Sequence, residues 1–157
     1  MRRKEREVTD LETIDRIIDG CDCCRISLCD GAHAPYIVPL SFGYEHTEAG
    51  RFFYFHGAQK GRKLELMARN PHVGFELDAA HQIIPGEKAC DYSTHFRSVV
   101  GAGRLERVTG YADKLHALDC IMAHYAPGKE WSYDEKIVRV TEILRLTVEE
   151  LSCKAFG

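Results

Sequence analysis

Hydrophobic residues between Cys23 and Phe55 recur at every second position, in three stretches joined by connections too short for a crossover helix. This pattern allows antiparallel hairpins and excludes βαβ units. In the first stretch Cys24, Ile26 and Leu28 alternate with Arg25, Ser27 and Cys29, and Asp30-Gly31 supplies a turn. The second runs from Pro35 to Tyr44, with Val38, Leu40, Phe42 and Tyr44 on one face. Pro39 within it marks a position whose amide no neighbouring strand needs. A polar turn over Glu45–Gly50 leads to a third, strongly aromatic strand, Phe52–Phe55.

The same period returns in Val73, Phe75 and Leu77, in Phe96–Val108 with a kink expected at Gly101 or Gly103, and in Leu144, Leu146 and Val148. Helical spacing is confined to four places. Thr9-Asp10-Leu11-Glu12 matches a capping box ahead of an apolar face of Leu11, Ile14, Ile17 and Ile18, with Gly20 as the stop. Arg62–Arg69 is expected to be helical up to Asn70-Pro71, with Leu64 and Met67 inward. Tyr111–His124 is expected to turn Leu115, Leu118, Ile121 and Met122 inward, and Asp134–Arg139 to form one helical turn. Ala79–Ser93 is read as a long loop, of a length that is often functional or part of an interface. The expected fold is therefore α+β and mainly β: a six-stranded antiparallel barrel with a few flanking helices. Closing the sheet leaves no exposed edges.

A length of 157 residues fits one domain spanning 1–157. A net charge of −3 argues against nucleic-acid binding through a general basic surface, since the basic cluster at Met1–Arg6 is only a short tail. No apolar run approaches the roughly 20 residues of a membrane span, and no secretory pattern opens the chain, so a cytoplasmic protein is expected. The odd count of seven cysteines then reads as reduced thiols, mostly in the core. Cys21-x-x-Cys24 enters a strand and has no second pair, so neither zinc nor thioredoxin chemistry is expected, and no metal site is assigned. His33, His46, His72, His81, His116 and His124 read as surface or loop residues.

Chemistry concentrates in Tyr54-Phe55-His56-Gly57-Ala58-Gln59-Lys60-Gly61-Arg62-Lys63. A strand ends in a histidine, a glycine-rich turn follows, and a helix begins among three cations. Free amides at a helix N-terminus favour phosphate, whereas cations there oppose the helix dipole unless an anion neutralises them. An ordinary surface turn with solvated lysines has the same appearance. Neither a Walker loop nor a dinucleotide fingerprint is present. A second basic spot, Arg97-Ser98-Val99, could clamp a phosphate or form a surface ion pair.

Taken in order, Val38-Pro39-Leu40-Ser41-Phe42-Gly43-Tyr44, Tyr54-Phe55-His56-Gly57-Ala58 with Gly61-Arg62-Lys63, Asn70-Pro71 before Val73–Asp78, and Cys90-Asp91-Tyr92 with Arg97-Ser98-Val99-Val100-Gly101 resemble the pyridoxamine 5′-phosphate oxidase-related flavoproteins, and within them the nitroimidazole-resistance (Nim-type) branch. The resemblance spans nearly the whole chain. It implies a split β-barrel homodimer with FMN at the subunit interface. Val38, Pro39 and Leu40 would line the flavin edge. His56, Gly57 and Ala58 would lie beside the ring and ribityl chain, Arg62 and Lys63 would hold the phosphate, and Arg97, Ser98 and Val99 would complete the pocket. Cys90 and Tyr92 would come from the partner subunit. His56 is the side chain expected to polarise FMN or to protonate a reduced nitro group. The implied activity is an FMN-dependent oxidoreductase acting on a small substrate such as a nitroaromatic, with NADH or NADPH as donor. The alternative is a non-catalytic barrel that holds FMN or haem. The Arg-Leu-x-Pro segment of authentic pyridoxamine-phosphate oxidases is missing, so that oxidation is not implied.

Overall fold

A computed structural model describes residues 4–157. Of the basic tail, Met1, Arg2 and Arg3 lie outside the described residues, and Lys4–Arg6 form one 3₁₀ turn. The chain continues through β1 (Glu7–Val8), α1 (Leu11–Asp19), β2 (Cys24–Leu28), β3 (Tyr36–Leu40), β4 (Gly43–Thr47) and β5 (Gly50–Gly57). Then come α2 (Arg62–Arg69), β6 (His72–Ile84), β7 (Ser93–Val108), α3 (Tyr111–Tyr125), α4 (Glu135–Val140) and β8 (Glu142–Phe156). All pairings are antiparallel, in the order β3-β2-β6-β7-β8-β5-β4, with β1 added to β8. The two ends of this path, β3 and β4, are consecutive in sequence, joined through Ser41-Phe42 and not paired to each other. The sheet therefore curls round to a seam between β3 and β4, which is the split of a split barrel.

The barrel is filled from the inward faces. Ile26, Leu28, Phe42, Phe53, Phe55, Leu77, Val99 and Leu146 are completely buried. Rings interlock across it, Phe53 meeting Phe42 at 5.6 Å and Phe75 at 5.3 Å between centroids. α1 adds Ile14, Ile17 and Ile18 to this core. Each such side chain contributes roughly 1.5–3 kcal/mol on burial, against about 1 kcal/mol for a helix cap, so the apolar stripe rather than the cap fixes α1 in place. α3 packs on the outside of β4 and β5, where Ala117 and Ile121 bury Tyr54 and Ile143 in a second cluster. No helix among the described residues is long and apolar enough to cross a membrane.

Several elements differ from the sequence reading. The α1 cap is Asp10, whose carboxylate accepts from the Thr13 amide at 2.9 Å, not Thr9. The stretch Pro35–Tyr44 is two strands, because the chain leaves the edge of β2 at Ser41-Phe42 to reach the edge of β5. Phe42 stays in the core across that break, so its hydrophobic period hides it. Pro39 does lie on an edge strand, as its missing amide requires. The first part of the expected loop over 79–93 is strand: β6 runs on to Ile84 and pairs with the start of β7 in a two-stranded arm, with an irregularity between Ala79 and Gln82, and only 85–92 connect the two. β8 likewise runs to Phe156. The strand count is therefore eight where six were expected. In α3 the buried face centres on Ala117 and Ile121, while Leu115, Leu118 and Met122 are only partly covered.

Candidate functional site

β5 ends at the mouth of the barrel, where Phe53 and Phe55 point inward and Tyr54 and His56 point outward. Tyr54 is covered by α3, whereas His56 lies beyond that cover and is exposed. Gly57 is the last residue of the strand, opposite Glu142 of β8. A Cβ on Gly57 would stand 3.3 Å from the Lys63 ammonium, so the glycine leaves room for that side chain to fold back over the strand end. Ala58, Gln59 and Lys60 form an exposed turn. Gly61 then starts α2 at φ +142°, a backbone conformation that side-chain-bearing residues avoid, and no side chain caps the helix. Gly61 O accepts from the Leu64 and Glu65 amides. The Arg62 and Lys63 amides at the helix start are left to face outward.

The two cations of this turn have different surroundings. Arg62 forms an ion pair with Asp30 of the β2–β3 turn, and its guanidinium lies 5.5 Å from the centre of the Tyr36 ring. Lys63 is half-buried, and burial lowers its ammonium below the ordinary lysine range, with the nearby Glu142 carboxylate partly offsetting this. Glu142 is itself engaged with Arg107 at 3.3 Å. Lys63 is thus a desolvated cation beside free helix amides, and its nearest carboxylate is already neutralised.

The remaining expected residues fall elsewhere. Val38 and Leu40 turn toward the core and Pro39 faces out. Arg97 is exposed, Ser98 is half-buried, and Val99 is wholly within the core, so its side chain cannot line a surface pocket. On β8, His56 and Gly57 pair with Ile143 and Glu142, whereas Val99, Ser98 and Arg97 pair with Cys153, Lys154 and Ala155. From Ile143 to Cys153 is ten residues, roughly 30 Å along a strand. One chain therefore brings His56, Gly57, Ala58, Arg62 and Lys63 together beside the start of β8, and holds Arg97 and Ser98 of β7 beside its other end. Beside this second group lies an exposed outer face with Ile37 62% and Val100 50% accessible, bordered by Ser27, Gly74 and Gly101. Cys90 and Tyr92 stand exposed at the tip of the β6–β7 arm.

The seven cysteines are free. Burial raises the thiols of Cys21, to about 11, and of Cys24 far above the ordinary range, so the C-x-x-C pair is inert core. Sequence reasoning passed over the partners that lie far off in the chain. Asp15 of α1 accepts from Tyr44 at 2.5 Å and Arg51 at 3.2 Å and meets His46 at 2.7 Å, tying α1 to β4 and β5. His124, expected at the surface, is packed 4.2 Å from Phe42 and hydrogen-bonded to Cys21 O. His116 of α3 sits with Glu45 and Cys120 outside β4.

The profile of a protein family, pyridoxamine 5′-phosphate oxidase, matches residues 10–155. Among solved structures, a candidate 5-nitroimidazole antibiotic resistance protein from Bacteroides thetaiotaomicron is 31% identical. That match covers 96% of this chain and 87% of the other at a TM-score of 0.82. The flavocytochrome Anf3 of Azotobacter vinelandii (22% identity, 100% and 72% coverage, TM-score 0.83) shares the fold. So does an FAD- and haem-binding protein of Mycobacterium smegmatis (20%, 96% and 73%, TM-score 0.82). No curated protein sequence matches.

Proposed function

The chain belongs to the pyridoxamine 5′-phosphate oxidase family, and on that premise we propose that it is an FMN-dependent oxidoreductase in which two copies of the chain share each flavin. The observation that carries this reading is the donor set at the start of α2. A half-buried ammonium, a guanidinium and free helix amides converge where Gly57 and Gly61 keep the backbone open. That set suits a dianionic phosphate better than any neutral ligand. Lys63 and the α2 amides would hold the phosphate, and Arg62 would have to exchange part of its Asp30 contact to join them. His56, Gly57 and Ala58 lie on the strand end next to that site.

The second group of residues supports the homodimer. Arg97 and Ser98 of β7 lie against the far end of β8, so they would reach the same flavin only from a partner chain. The exposed apolar face around Ile37 and Val100, with glycine and serine at its floor, suits close contact with a second sheet. Pro39 stands on the outer side of the edge strand beside it and would line the flavin edge.

When bound, FMN supplies two-electron redox chemistry, accepting hydride from a nicotinamide donor and passing electrons to an acceptor. The protein's part is to fix the phosphate, exclude water from the shared interface and present His56. That imidazole is exposed and would donate a proton to the reduced acceptor. The 31% identity to a candidate nitroimidazole-resistance protein supports a small nitroaromatic as that acceptor.

An FMN titration followed by flavin fluorescence tests the phosphate site. A charge-assisted bond to a half-buried ammonium contributes roughly 1.5–3 kcal/mol, so Lys63→Ala should weaken FMN binding roughly 10- to 100-fold. Unchanged affinity in the variant, or no FMN binding by the parent, would refute the reading.

A further inference from the structure

We propose that Glu45, His116 and Cys120 bind one divalent transition-metal ion of the zinc type, clamping α3 to β4. The three residues offer one oxygen, one nitrogen and one sulfur, all within 4.8 Å of one another. His116 and Cys120 are one helical turn apart on the same face of α3, and Glu45 comes from the strand beneath. This mixed set of imidazole, thiolate and carboxylate is the one that borderline-soft ions prefer.

The nitrogen-to-sulfur distance agrees with a tetrahedral centre. Bond lengths of about 2.3 Å to sulfur and about 2.05 Å to nitrogen put the N···S edge near 3.5 Å. His116 Nε2 and Cys120 Sγ are 3.6 Å apart. The His116 Nε2 to Glu45 Oε2 separation is 3.0 Å, a few tenths of an ångström short of the corresponding edge, so the carboxylate would shift slightly outward. Three protein ligands leave a fourth position for water, on the side where His116 reaches solvent.

Hydrogen bonding alone satisfies His116 and Glu45 but leaves the Cys120 thiol out. His116 Nε2 faces both Glu45 and Cys120. If it carries a proton it donates to the carboxylate and cannot accept from the thiol; if it is bare, the carboxylate meets a lone pair. A central cation uses all three lone pairs at once. The surroundings are also arranged as those of a ligand set. Buried Tyr54 donates to Glu45 Oε1 at 2.5 Å, leaving Oε2 to face the histidine. The Tyr54 ring stands edge-on to the His116 ring at 5.8 Å and fixes its plane. Gly43 lets the α3 backbone at Cys120–Ile121 lie against β4, which brings the cysteine within reach of the strand. The site lies apart from the Gly57–Lys63 turn and does not depend on flavin binding.

The test is a Co²⁺ titration of the full chain, with the visible ligand-field bands and the near-ultraviolet thiolate-to-cobalt band as readouts. The expected result is saturation at one ion per chain with both features present. His116→Ala should abolish saturable binding; its side chain is 55% exposed, so the fold should tolerate the change. Cys120→Ser should remove the near-ultraviolet band. Tyr54→Phe should weaken binding roughly 10-fold, as loss of a supporting hydrogen bond does at other metal sites. Far-UV circular dichroism of the metal-free variants confirms that each is folded. The absence of saturable binding in the parent would overturn the proposal. So would binding that His116→Ala and Cys120→Ser leave unchanged, because the ion would then be held elsewhere.

Discussion

Replacing Gly43 with alanine should loosen the whole outer layer of the barrel. An added Cβ would stand 2.4 Å from Ile121 N and 2.6 Å from Cys120 C, both backbone atoms of α3. Ordinary contact begins near 3.4 Å, so α3 must retreat by about 1 Å, the difference between 3.4 and 2.4. No rotamer change relieves the clash, because neither atom belongs to a side chain. Overpacking of this kind costs about 1–3 kcal/mol. The gain from a stiffer unfolded chain, about 0.4–1 kcal/mol for a glycine replaced by alanine, offsets only part of it. At about 2–4 °C per kcal/mol for a chain of this size, the thermal midpoint should fall by several degrees. The retreat also lifts Ala117 and Ile121 off Tyr54 and Ile143. Differential scanning calorimetry of Gly43→Ala beside Gly20→Ala measures this. Gly20 is a suitable control because its added Cβ would meet nothing closer than 3.5 Å. If Gly43→Ala melts at or above the parent temperature, the close approach of α3 to β4 is refuted.

Two further predictions concern charge and thiols. Burial alone would raise the Asp15 carboxyl, but hydrogen bonds from Tyr44, His46 and Arg51 outweigh it and hold the group below the usual carboxylate range. Its stabilisation is therefore full above about pH 4 and is lost as pH falls through the folded-state value. Asp15→Asn should cost roughly 1.5–3 kcal/mol in urea unfolding at neutral pH, and the gap to the parent should narrow below about pH 3. A gap that is constant with pH would contradict this. In alkylation at pH 8 mapped by peptide mass, exposed Cys29 and Cys90 should react first. Cys21 and Cys24 should wait for unfolding, and native modification of Cys24 would show that the core is not closed around it.

The sequence was legible wherever one face of a strand meets the core. Cys24-Ile26-Leu28 and Val73-Phe75-Leu77 alternate because their partners lie inside the barrel. The period disappears in the β6–β7 arm, where neither face is buried, and this is why residues 79–93 read as a loop. It misleads at Phe42, which stays buried while the backbone changes neighbours. On α3 Ile121 is buried as expected and Leu118 packs beside it, but the small Ala117 at the centre of the contact gave no hydrophobic signal, and Gly43 lets the helix approach there. The turn Gly57–Lys63 was legible because its parts are consecutive. Asp30 beside Arg62, Arg107 beside Glu142, and Glu45 beside His116 were not, since pairs tens of residues apart leave no local pattern.

Native mass spectrometry of the purified chain, after incubation with FMN and removal of the excess, tests the shared-flavin account most directly. The account predicts a dimer carrying two FMN, with no flavin retained on any monomer. A monomer that keeps one FMN, or a dimer that keeps none, would contradict it.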